Sequence, residues 1–277
     1  MSGIRRHPIR FLLRFARFLW FLFGSGTHFI FTVWLAGRAG SRRARAEWLQ
    51  RWAGFGAGIF RMKIEVKGQL PPGGVLTSNH LGYVDILVLG SLQPAVFVAK
   101  ADVQRWPVLG WLVGAGGTVF IERERRSHVG EIVGQFAPLI AENLPVVMFL
   151  EGTSTGGEHV LPFRPSLLEP VVANGWPVTP VWIGYSLADG SVENEVAYWG
   201  DMTLFPHLLN LLTKESVTAH IAFGEPLLAR GHDRKELARR LQAQVCELAA
   251  QFGRRVEVGS HWHGLAVVKK RSDGVME

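Results

Sequence analysis

The alternation of short apolar β-type runs with helical runs after residue 61 is the feature that most constrains the fold. The segments predicted as strands are Lys63–Val66, Val75–Ser78, Val96–Ala99, Thr118–Ile121, Val146–Leu150, Val178–Ile183, Glu195–Tyr198 and Thr218–Phe223. Helical spacing marks Val84–Leu92, Val103–Val113, His128–Asn143 and Asp233–Phe252. Strands that alternate with helices predict an α/β fold, and nearly all-apolar strands are typical of a sheet covered on both faces. We therefore predict a mixed, largely parallel sheet flanked by helices.

Basic charge is concentrated in the first 61 residues. This segment has eleven arginines, no lysine and one acidic residue, so its net charge is +10, whereas the remaining 216 residues sum to −3. Nucleic-acid-binding domains carry their basic residues as a patch or stripe on the folded surface. The uneven distribution therefore argues against a nucleic-acid partner and assigns the basicity to one segment.

The basic segment also has the pattern of a helix that lies at a membrane surface. Arg10, Arg14 and Arg17 are spaced four and three residues apart within IRFLLRFARFLWFLF, so they share one face of a helix. Arginine heads with aromatic and aliphatic residues beneath them suit the boundary between lipid headgroups and acyl chains. We predict that residues 1–61 form membrane-anchoring helices, with a second helix near Arg42–Phe60 that packs the anchor against the body of the protein.

Whether this anchor spans the membrane depends on Phe18–Ala36, a stretch of nineteen residues without charged side chains. That length is about enough to cross a bilayer. Gly24, Ser25 and Gly26 interrupt the stretch, however, and arginines flank both of its ends, whereas a single span normally leaves the arginine-rich flank on one side. A bent or hairpin-like monotopic anchor satisfies both flanks and is the favoured prediction, with a single span and a buried core helix as alternatives.

The segment TSNHLGYVDIL carries the pair of residues best suited to proton transfer. A histidine takes a proton near neutral pH, and a carboxylate on its other ring nitrogen fixes the tautomer and stabilises the imidazolium. His80 and Asp85 are five residues apart and would diverge by about 140° in a continuous helix. The pair therefore works only if His80 lies in the turn or first turn of the helix, which Gly82 permits. The alternative is that Asn79 or Asp85 caps the helix and His80 is incidental.

Three further segments place polar or unusual residues near the ends of strands. Arg123 follows the strand of GTVFIERERR and would suit a phosphate or carboxylate, although a lone arginine is more often a solvated surface charge. Glu151 leads EGTSTGG, whose backbone amides could face an anionic group or form an ordinary capped turn. Pro180 lies in the apolar run WPVTPVWIG, where proline is awkward unless it lies at a sheet edge or a cavity wall.

Neither cysteine nor metal chemistry is expected. The single cysteine, Cys246, excludes an intramolecular disulfide, and it lies in an apolar pattern of helical spacing that indicates a structural rather than a nucleophilic role. His261 and His263 have no carboxylate or cysteine partners to complete a zinc site. We expect no bound metal or cofactor.

The four segments occur in the order NHLGYVD, GTVFIER, EGTST and VTPV, at intervals of about 40, 30 and 30 residues. Over roughly residues 75–185 this arrangement resembles the glycerolipid acyltransferase family, whose best-known members are lysophosphatidate acyltransferases. The resemblance implies that residues 62–258 form an acyltransferase domain, with His80 as the base and Asp85 as its partner. Further residues that it implies in acceptor binding are Arg123, Glu151, Gly152 and Thr153. Those that it implies along the acyl or acceptor cleft are Val178, Thr179 and Pro180.

One position departs from the family pattern. Lysophosphatidate-specific members usually read Glu-Gly-Thr-Arg, with an arginine that binds the acceptor phosphate, whereas this chain has Ser154. NHLGYVDILVLG, FVAKADVQRWPVLGWL, GTVFIERERRS and EGTSTGGEHVLPFRPSLL together resemble lyso-ornithine lipid acyltransferases more closely. That subgroup esterifies the hydroxyl of a 3-hydroxy fatty acid that is amide-linked to ornithine. Lys100, Arg123 and Arg164 remain as candidates to bind an anion, so lysophosphatidate stays as the alternative acceptor.

The resemblance implies direct transfer of a fatty acyl group from acyl-CoA or acyl carrier protein to a lysolipid hydroxyl, at the cytoplasmic face of the inner membrane. Membrane lipids, the lysolipid and the acyl donor are then the partners. Backbone amides at a helix N-terminus are candidates to stabilise the oxyanion. The apolar residues that would line an acyl tunnel, or form plain core, are Trp106, Leu109, Trp111, Leu112 and Phe120.

Thioester or lysolipid hydrolysis is the alternative within enzymes, and a non-catalytic lipid-binding membrane protein is the alternative outside them. The tail, residues 259–277, is expected to be flexible because it follows the last predicted helix and ends in a polar run.

Overall fold

A computed structural model describes residues 7–106, 108–121 and 129–259. The strands within these ranges are β1 (Met62–Lys67), β2 (Val75–Ser78), β3 (Val96–Lys100), β4 (Val119–Ile121), β5 (Val146–Phe149), β6 (His159–Val160), β7 (Pro177–Leu187), β8 (Val217–Phe223), β9 (Leu227–Leu228) and β10 (Glu257–Val258). They form a large sheet of order β1-β8-β7-β2-β5-β3-β4, with β9 added on β7, and a small sheet in which β10 pairs with β6.

Strand directions in the large sheet match the predicted mixed, largely parallel arrangement. Neighbouring strands from β7 through β2, β5 and β3 to β4 are parallel. β1 and β8 are parallel to each other, whereas β8 and β9 run antiparallel to β7. Because parallel strands present their carboxyl ends at one edge, the carboxyl ends of β2, β3, β4 and β5 lie at the same edge of the sheet.

Helices and apolar clusters cover both faces of the large sheet. The helices are α1 (Pro8–Phe29), α2 (Arg42–Ile59), α3 (Tyr83–Leu92), α4 (Leu109–Ala115), α5 (Val129–Ala141), α6 (Glu169–Asn174), α7 (Val192–Glu195), α8 (Leu204–Leu211) and α9 (Arg234–Leu248). Consecutive residues of β5 belong to opposite faces: Val146 packs in a cluster with Leu237 of α9, and Val147 in a cluster with Val88 of α3. The sheet is therefore buried on both sides, as its apolar strands predict.

Pro180 lies inside the sheet, and a break in the neighbouring strands explains how it is tolerated. β8 ends at Phe223 and β9 begins at Leu227, so Pro180 lies opposite the gap between them. Its carbonyl oxygen accepts a hydrogen bond from Gly224 N at 2.9 Å on that side. Because the ladder is interrupted there, the missing N–H of the proline leaves no strand partner unsatisfied.

The predicted strand Glu195–Tyr198 is wrong. The segment begins with the last residue of α7, whose N-terminus is capped by the Ser191 hydroxyl. It then continues as an irregular chain that is held by a hydrogen bond from Tyr198 N to Leu81 O at 2.7 Å. The β-type composition does not produce a strand here, because Val196 has helical backbone angles and Tyr198 N bonds to the turn that carries His80 instead of to a neighbouring strand.

The predicted single helix Val103–Val113 is also wrong. A 3-10 turn occupies Ala101–Arg105 and α4 begins only at Leu109. A Cβ atom on Gly110 would lie 2.3 Å from the Gln104 carbonyl oxygen, so the chain folds back tightly on itself between the two pieces. A continuous helix would separate these two residues.

The N-terminal helices form a hairpin. α1 runs through Gly24, Ser25 and Gly26 without a break, continues as a π-helical turn at Ile30–Trp34, and α2 then packs back against it. The bend between the two helices, which we expected at the glycines, lies instead after the π-helical turn. A Cβ atom on Gly24 would lie 3.1 Å from Trp52, so this glycine permits close packing of the two helices. None of the helices within the described ranges is both long enough and apolar enough to cross a bilayer.

Arg14 does not face outward as the helical pattern predicted. It is 5% exposed, and its guanidinium donates to the carbonyl oxygens of Leu212 at 3.2 Å, Glu215 at 2.8 Å and Lys214. Burial, followed by repulsion from Arg10, lowers the pKa of Arg14 to about 10. Large apolar residues of α1 face outward beside the exposed Arg17, namely Ile9, Leu12, Leu13, Leu19, Trp20 and Phe23.

Candidate active site

The structure brings His80 and Asp85 together. β2 ends at Ser78 and α3 begins at Tyr83, so His80 lies in the turn before the helix, which is the position that the pair needs. Nδ1 of His80 is 2.8 Å from Oδ2 of Asp85, a carboxylate with no exposed surface. A carboxylate at this distance favours the tautomer with the proton on Nδ1, which leaves Nε2 as the proton acceptor.

Asp85 also caps the helix on which it lies. Its Oδ2 accepts hydrogen bonds from Leu81 N at 2.7 Å and Gly82 N at 3.0 Å. The contact with His80 and the capping contacts are therefore compatible, because one carboxylate oxygen makes all three. The same contacts occupy these two amides, so they are not available to stabilise an oxyanion.

Gly82 is required in this turn for two reasons. Its φ angle is +148°, a conformation that residues with a side chain rarely adopt. A Cβ atom at this position would also lie 2.9 Å from both Cβ and N of Tyr198. The turn that carries His80 is thus pressed against the segment around Tyr198.

Glu151 braces the same turn from the end of β5. Its Oε1 accepts a hydrogen bond from His80 N at 2.7 Å, and its Oε2 accepts one from Leu161 N at 2.8 Å. The side chain has no exposed surface, and burial raises the pKa of Glu151 to about 8 against the opposing effect of the two amide donors. This placement favours a positioning role over direct contact with an acceptor.

His80 lines an apolar cavity of about 330 Å³ between the hairpin and the sheet. The imidazole stacks on the Phe149 ring with 4.0 Å between centroids. Other lining residues come from the hairpin, α3, the segment before α4, and α8, and include Phe18, Trp48, Trp52, Ile86, Leu87, Trp106, Leu109, Leu112 and Leu208. The base of the dyad therefore faces a space with the chemistry of a hydrocarbon chain.

The tunnel candidates are divided between two surfaces. Trp106, Leu109 and Leu112 line the apolar cavity. Trp111 and Phe120 do not; they line a separate, more open groove, so the structure does not bring these two to the predicted tunnel. Trp106 borders both spaces.

The glycine- and hydroxyl-rich turn after Glu151 lies at the polar end of the site. Gly152 has φ +77°, which allows the chain to turn sharply after β5. Thr153 follows, and Ser154 lines the cavity while its hydroxyl donates to Tyr198 O at 2.6 Å. At the position where lysophosphatidate-specific relatives place an arginine, this chain therefore has a hydroxyl that bonds to its own backbone.

Of the basic candidates, Lys100 and Arg164 lie within the described residues, and neither lines the apolar cavity. Lys100 is exposed and forms an ion pair with Asp102, and it does not line the cavity. Arg164 is half-buried after β6, and burial lowers the pKa of its guanidinium. Arg123 lies outside the described residues.

The predicted cleft residues are buried inside the sheet beside β2 and do not line the apolar cavity: Val178, Thr179 and Pro180.

The part of β7 that approaches the dyad comes later. Nδ2 of Asn79 donates to Ile183 O at 2.8 Å, and Ile183 N donates to Oδ1 of Asn79 at 2.9 Å. Two residues farther on, the Tyr185 hydroxyl donates to Oδ1 of Asp85 at 2.6 Å. Sequence reasoning missed Tyr185, although alternation along VTPVWIGY places it on the face of Ile183.

Cys246 lies in α9 with its thiol 3.8 Å from the carbonyl oxygen of Glu257. Burial raises its pKa to about 11, which suits a structural rather than a nucleophilic thiol. Across the residues that the structure describes, no three His, Cys, Asp or Glu side chains are grouped to hold a metal ion. His261 and His263 lie beyond those residues.

Comparisons with known proteins identify the family of this chain. The family model described as acyltransferase matches residues 61–184. The chain is 37% identical over 193 residues to a lyso-ornithine lipid O-acyltransferase of Pseudomonas aeruginosa, covering 69% of this chain and 73% of that protein. It is 34% identical over 218 residues to a lyso-ornithine lipid O-acyltransferase of Brucella abortus, covering 72% and 81%.

Two further proteins extend the similarity. A 1-acyl-sn-glycerol-3-phosphate acyltransferase of Neisseria meningitidis is 28% identical over 153 residues, covering 55% of this chain and 60% of that protein. The crystal structure of a 1-acyl-sn-glycerophosphate acyltransferase from Thermotoga maritima has the same fold, with a TM-score of 0.64 at 16% identity, and the match covers 92% of this chain and 100% of that one. By its sequence segments, its fold and its relatives, this chain belongs to the acyltransferase family.

Proposed function

We propose that this acyltransferase moves a fatty acyl group from an acyl thioester to the hydroxyl of a lysolipid, with lyso-ornithine lipid as the preferred acceptor. One observation carries the proposal: the His80–Asp85 dyad faces an apolar cavity of about 330 Å³. A hydrocarbon chain in that cavity would present its carbonyl carbon near Nε2 of His80. The names of the relatives at 34–37% identity support the choice of acceptor.

The proposed reaction is a direct transfer. Nε2 of His80 takes the proton of the acceptor hydroxyl as its oxygen bonds to the thioester carbonyl carbon. The carbon–sulfur bond then breaks, and the imidazolium returns the proton to the departing thiolate. Asp85 holds Nδ1–H and stabilises the imidazolium in between. The donor is acyl-CoA or acyl carrier protein, and neither a metal nor a bound cofactor takes part.

Supporting residues have two proposed roles. Glu151 and Asn79 hold the main chain at His80: Glu151 accepts from His80 N at 2.7 Å, and the Asn79 side chain donates to Ile183 O at 2.8 Å. Acceptor binding is assigned to residues near the turn after β5 and to the basic side chains around it, namely Gly152, Thr153, Ser154, Arg164, Lys100 and Arg123.

Acceptor choice depends on the turn at Ser154. Because the hydroxyl of Ser154 donates to Tyr198 O, the turn offers no side-chain cation at the place where an arginine would bind a phosphate monoester. A zwitterionic ornithine head needs a different set of contacts. Lysophosphatidate is the alternative acceptor, and it would require Arg123 or Arg164 to bind the phosphate.

The hairpin is the proposed membrane anchor, lying on the cytoplasmic face of the inner membrane without crossing it. Large apolar residues of α1 and of the π-helical turn are exposed, including Leu12, Trp20, Phe23, Phe31 and Trp34. Their surface would enter the bilayer next to the cavity. In this arrangement residues 1–61 form the anchor and residues 62–258 the acyltransferase domain. The predicted tail, residues 259–277, lies outside the described residues except for Gly259.

The test is acyl transfer from radiolabelled acyl-CoA and acyl carrier protein to lyso-ornithine lipid and lysophosphatidate in parallel. Wild type should esterify lyso-ornithine lipid, and His80→Ala should lose at least about a thousandfold, near the upper range for loss of a general base. His232→Ala, a histidine in the loop before α9, is the matched control and should retain the wild-type rate.

Three outcomes would contradict parts of the proposal. Product with lysophosphatidate alone would overturn the choice of acceptor but not the class of reaction. Thiol release without any acceptor, at the rate of the complete reaction, would indicate a hydrolase. Substantial transfer by a folded His80→Ala variant would refute the mechanism.

A further inference from the structure

Asp85 has a hydrogen-bond partner on the side that does not face His80. Its Oδ2 is engaged by the imidazole and by two main-chain amides, whereas Oδ1 accepts the hydroxyl of Tyr185 at 2.6 Å. Tyr185 is only 3% exposed and comes from a strand 100 residues later in the chain. A buried hydroxyl aimed at a buried carboxylate is a charge-assisted contact, about twice as strong as one between neutral groups.

The geometry of β7 fixes this hydroxyl in place. The main-chain pairing of β2 with β7 ends at Ser78 opposite Val181, and the Asn79 side chain continues it through both hydrogen-bonding groups of Ile183. Tyr185 lies two residues farther on, so its side chain points to the same face as Ile183. Asn79 thus sets the register between the turn of His80 and the strand of Tyr185.

We propose that Tyr185 is a positioning residue that tunes the dyad by holding and partly neutralising Asp85. This inference rests on the proposed role of His80 as the base. A hydrogen bond donated to Oδ1 draws negative charge away from Oδ2, which is the oxygen that stabilises the imidazolium. Tyr185 therefore limits how strongly Asp85 stabilises the imidazolium of His80.

The other titratable groups around the dyad do not replace this effect. Burial raises the pKa of Tyr185 well above its ordinary value, and that of Tyr83 rises for the same reason, so both stay neutral donors. Burial lowers the pKa of His207, which bonds to the Tyr83 hydroxyl at 3.1 Å and stays neutral. Burial raises the pKa of Glu151 to about 8, so this residue titrates in the working pH range. Because wild type and a Tyr185 variant both contain Glu151, its titration cannot produce a difference between them.

Tyr185→Phe tests the inference through the pH dependence of kcat/KM in full-length protein. Losing the hydrogen bond should move the acid limb to higher pH by about 0.5–1 unit. At pH values below the acid limb, kcat/KM of the variant should then be about three- to tenfold lower than that of wild type. At pH values above the limb, the two proteins should have similar kcat/KM and the same KM. Ser186→Ala is the matched control, because it removes a hydroxyl from the next residue of β7, which bonds to His220 on the opposite face at 2.9 Å.

A second variant moves the limb the other way. A 3-fluorotyrosine placed at position 185 has a more acidic phenol and is a stronger donor, so the acid limb should shift to lower pH. Opposite shifts in the two variants are a signature that a packing defect cannot produce. This measurement also applies if Tyr185→Phe folds poorly.

Titration of the His80 ring nitrogens by ¹⁵N NMR in the substrate-free protein separates this inference from the proposed function. If wild type transfers no acyl group to either lysolipid, the proposed function fails, yet the ring titration in Tyr185→Phe should still move to higher pH. Superimposed titrations of wild type and variant, or a loss of rate by one constant factor at every pH, would overturn the role of Tyr185.

Discussion

Replacing Asp85 by asparagine separates the charge of this residue from its geometry. Oδ2 accepts from His80 Nδ1 at 2.8 Å, Leu81 N at 2.7 Å and Gly82 N at 3.0 Å. An asparagine has one acceptor oxygen and one donor nitrogen, so one orientation keeps an oxygen facing all three groups and sets the NH₂ against the Tyr185 hydroxyl, whose oxygen can accept from it. The reversed orientation would set the NH₂ group against two amide donors whose positions are fixed by the turn.

The structure allows the size of this preference to be worked out. Each buried donor left unsatisfied costs about 1–3 kcal/mol, so the two amides favour the productive orientation by about 2–6 kcal/mol, or at least about thirtyfold. His80 therefore keeps its Nδ1–H directed at an oxygen and retains the active tautomer. In a serine protease triad the same substitution yields the wrong tautomer, and activity falls about 10⁴-fold.

The remaining loss comes from the missing charge. A hydrogen bond to a charged group contributes about 1.5–3 kcal/mol and one between neutral groups about 0.5–1.5 kcal/mol. The difference of about 1–2 kcal/mol in stabilising the imidazolium corresponds to a fall in kcat of about five- to thirtyfold. Asp85→Asn should thus be far more active than His80→Ala.

The assay is kcat for wild type, Asp85→Asn and His80→Ala with one donor and one acceptor, each variant checked for folding by circular dichroism. A folded Asp85→Asn variant as inactive as His80→Ala would refute the orientation argument. A wild-type rate would refute the need for a charge on this residue.

Three other perturbations follow from the same contacts. Glu151→Gln replaces one of the two carboxylate oxygens that accept main-chain hydrogen bonds by an NH₂ group that faces an amide. It should lower the free energy of unfolding in urea by about 2–4 kcal/mol. Unchanged stability would show that these hydrogen bonds do not stabilise the turn. The pKa of Glu151 is raised from 4.5 to about 8, so its contribution to stability is present below pH 4.5 and is lost as pH rises through about 8. The unfolding free energy of Glu151→Gln should therefore depend less on pH between these values than that of wild type. Parallel curves for the two proteins would contradict this sign. Gly82→Ala should abolish most transfer, since the added Cβ lies 2.9 Å from Tyr198, and an active variant would show that the turn can move. Arg14→Gln should lower the melting temperature by several degrees through loss of the carbonyl contacts at the end of α8, with Arg38→Gln at an exposed site as the control.

Local patterns predicted much of the fold and the central pair of the site. The apolar runs of β5 and of the middle of β7 were recognisable because strands buried on both faces contain almost no polar residues, and β2 begins with the apolar residues Val75 and Leu76. His80 and Asp85 were recognisable because both belong to one turn, where Gly82 allows a geometry that depends on few distant contacts. Glu195–Tyr198 was not, because its partner is the turn at Leu81, more than 100 residues earlier.

The sequence by itself determined the α/β class, the basic and aromatic hairpin segment, and the histidine–carboxylate pair, since each depends on composition or on spacing within a few residues. Only the tertiary structure decided which way Arg14 faces, that Glu151 binds the main chain of His80, and that Tyr185 completes the shell around Asp85. The physical reason is that these three side chains find their partners across 71 to 201 residues of chain. Burial makes such contacts strong, but sheet order and helix packing, which no local pattern encodes, select which residues make them.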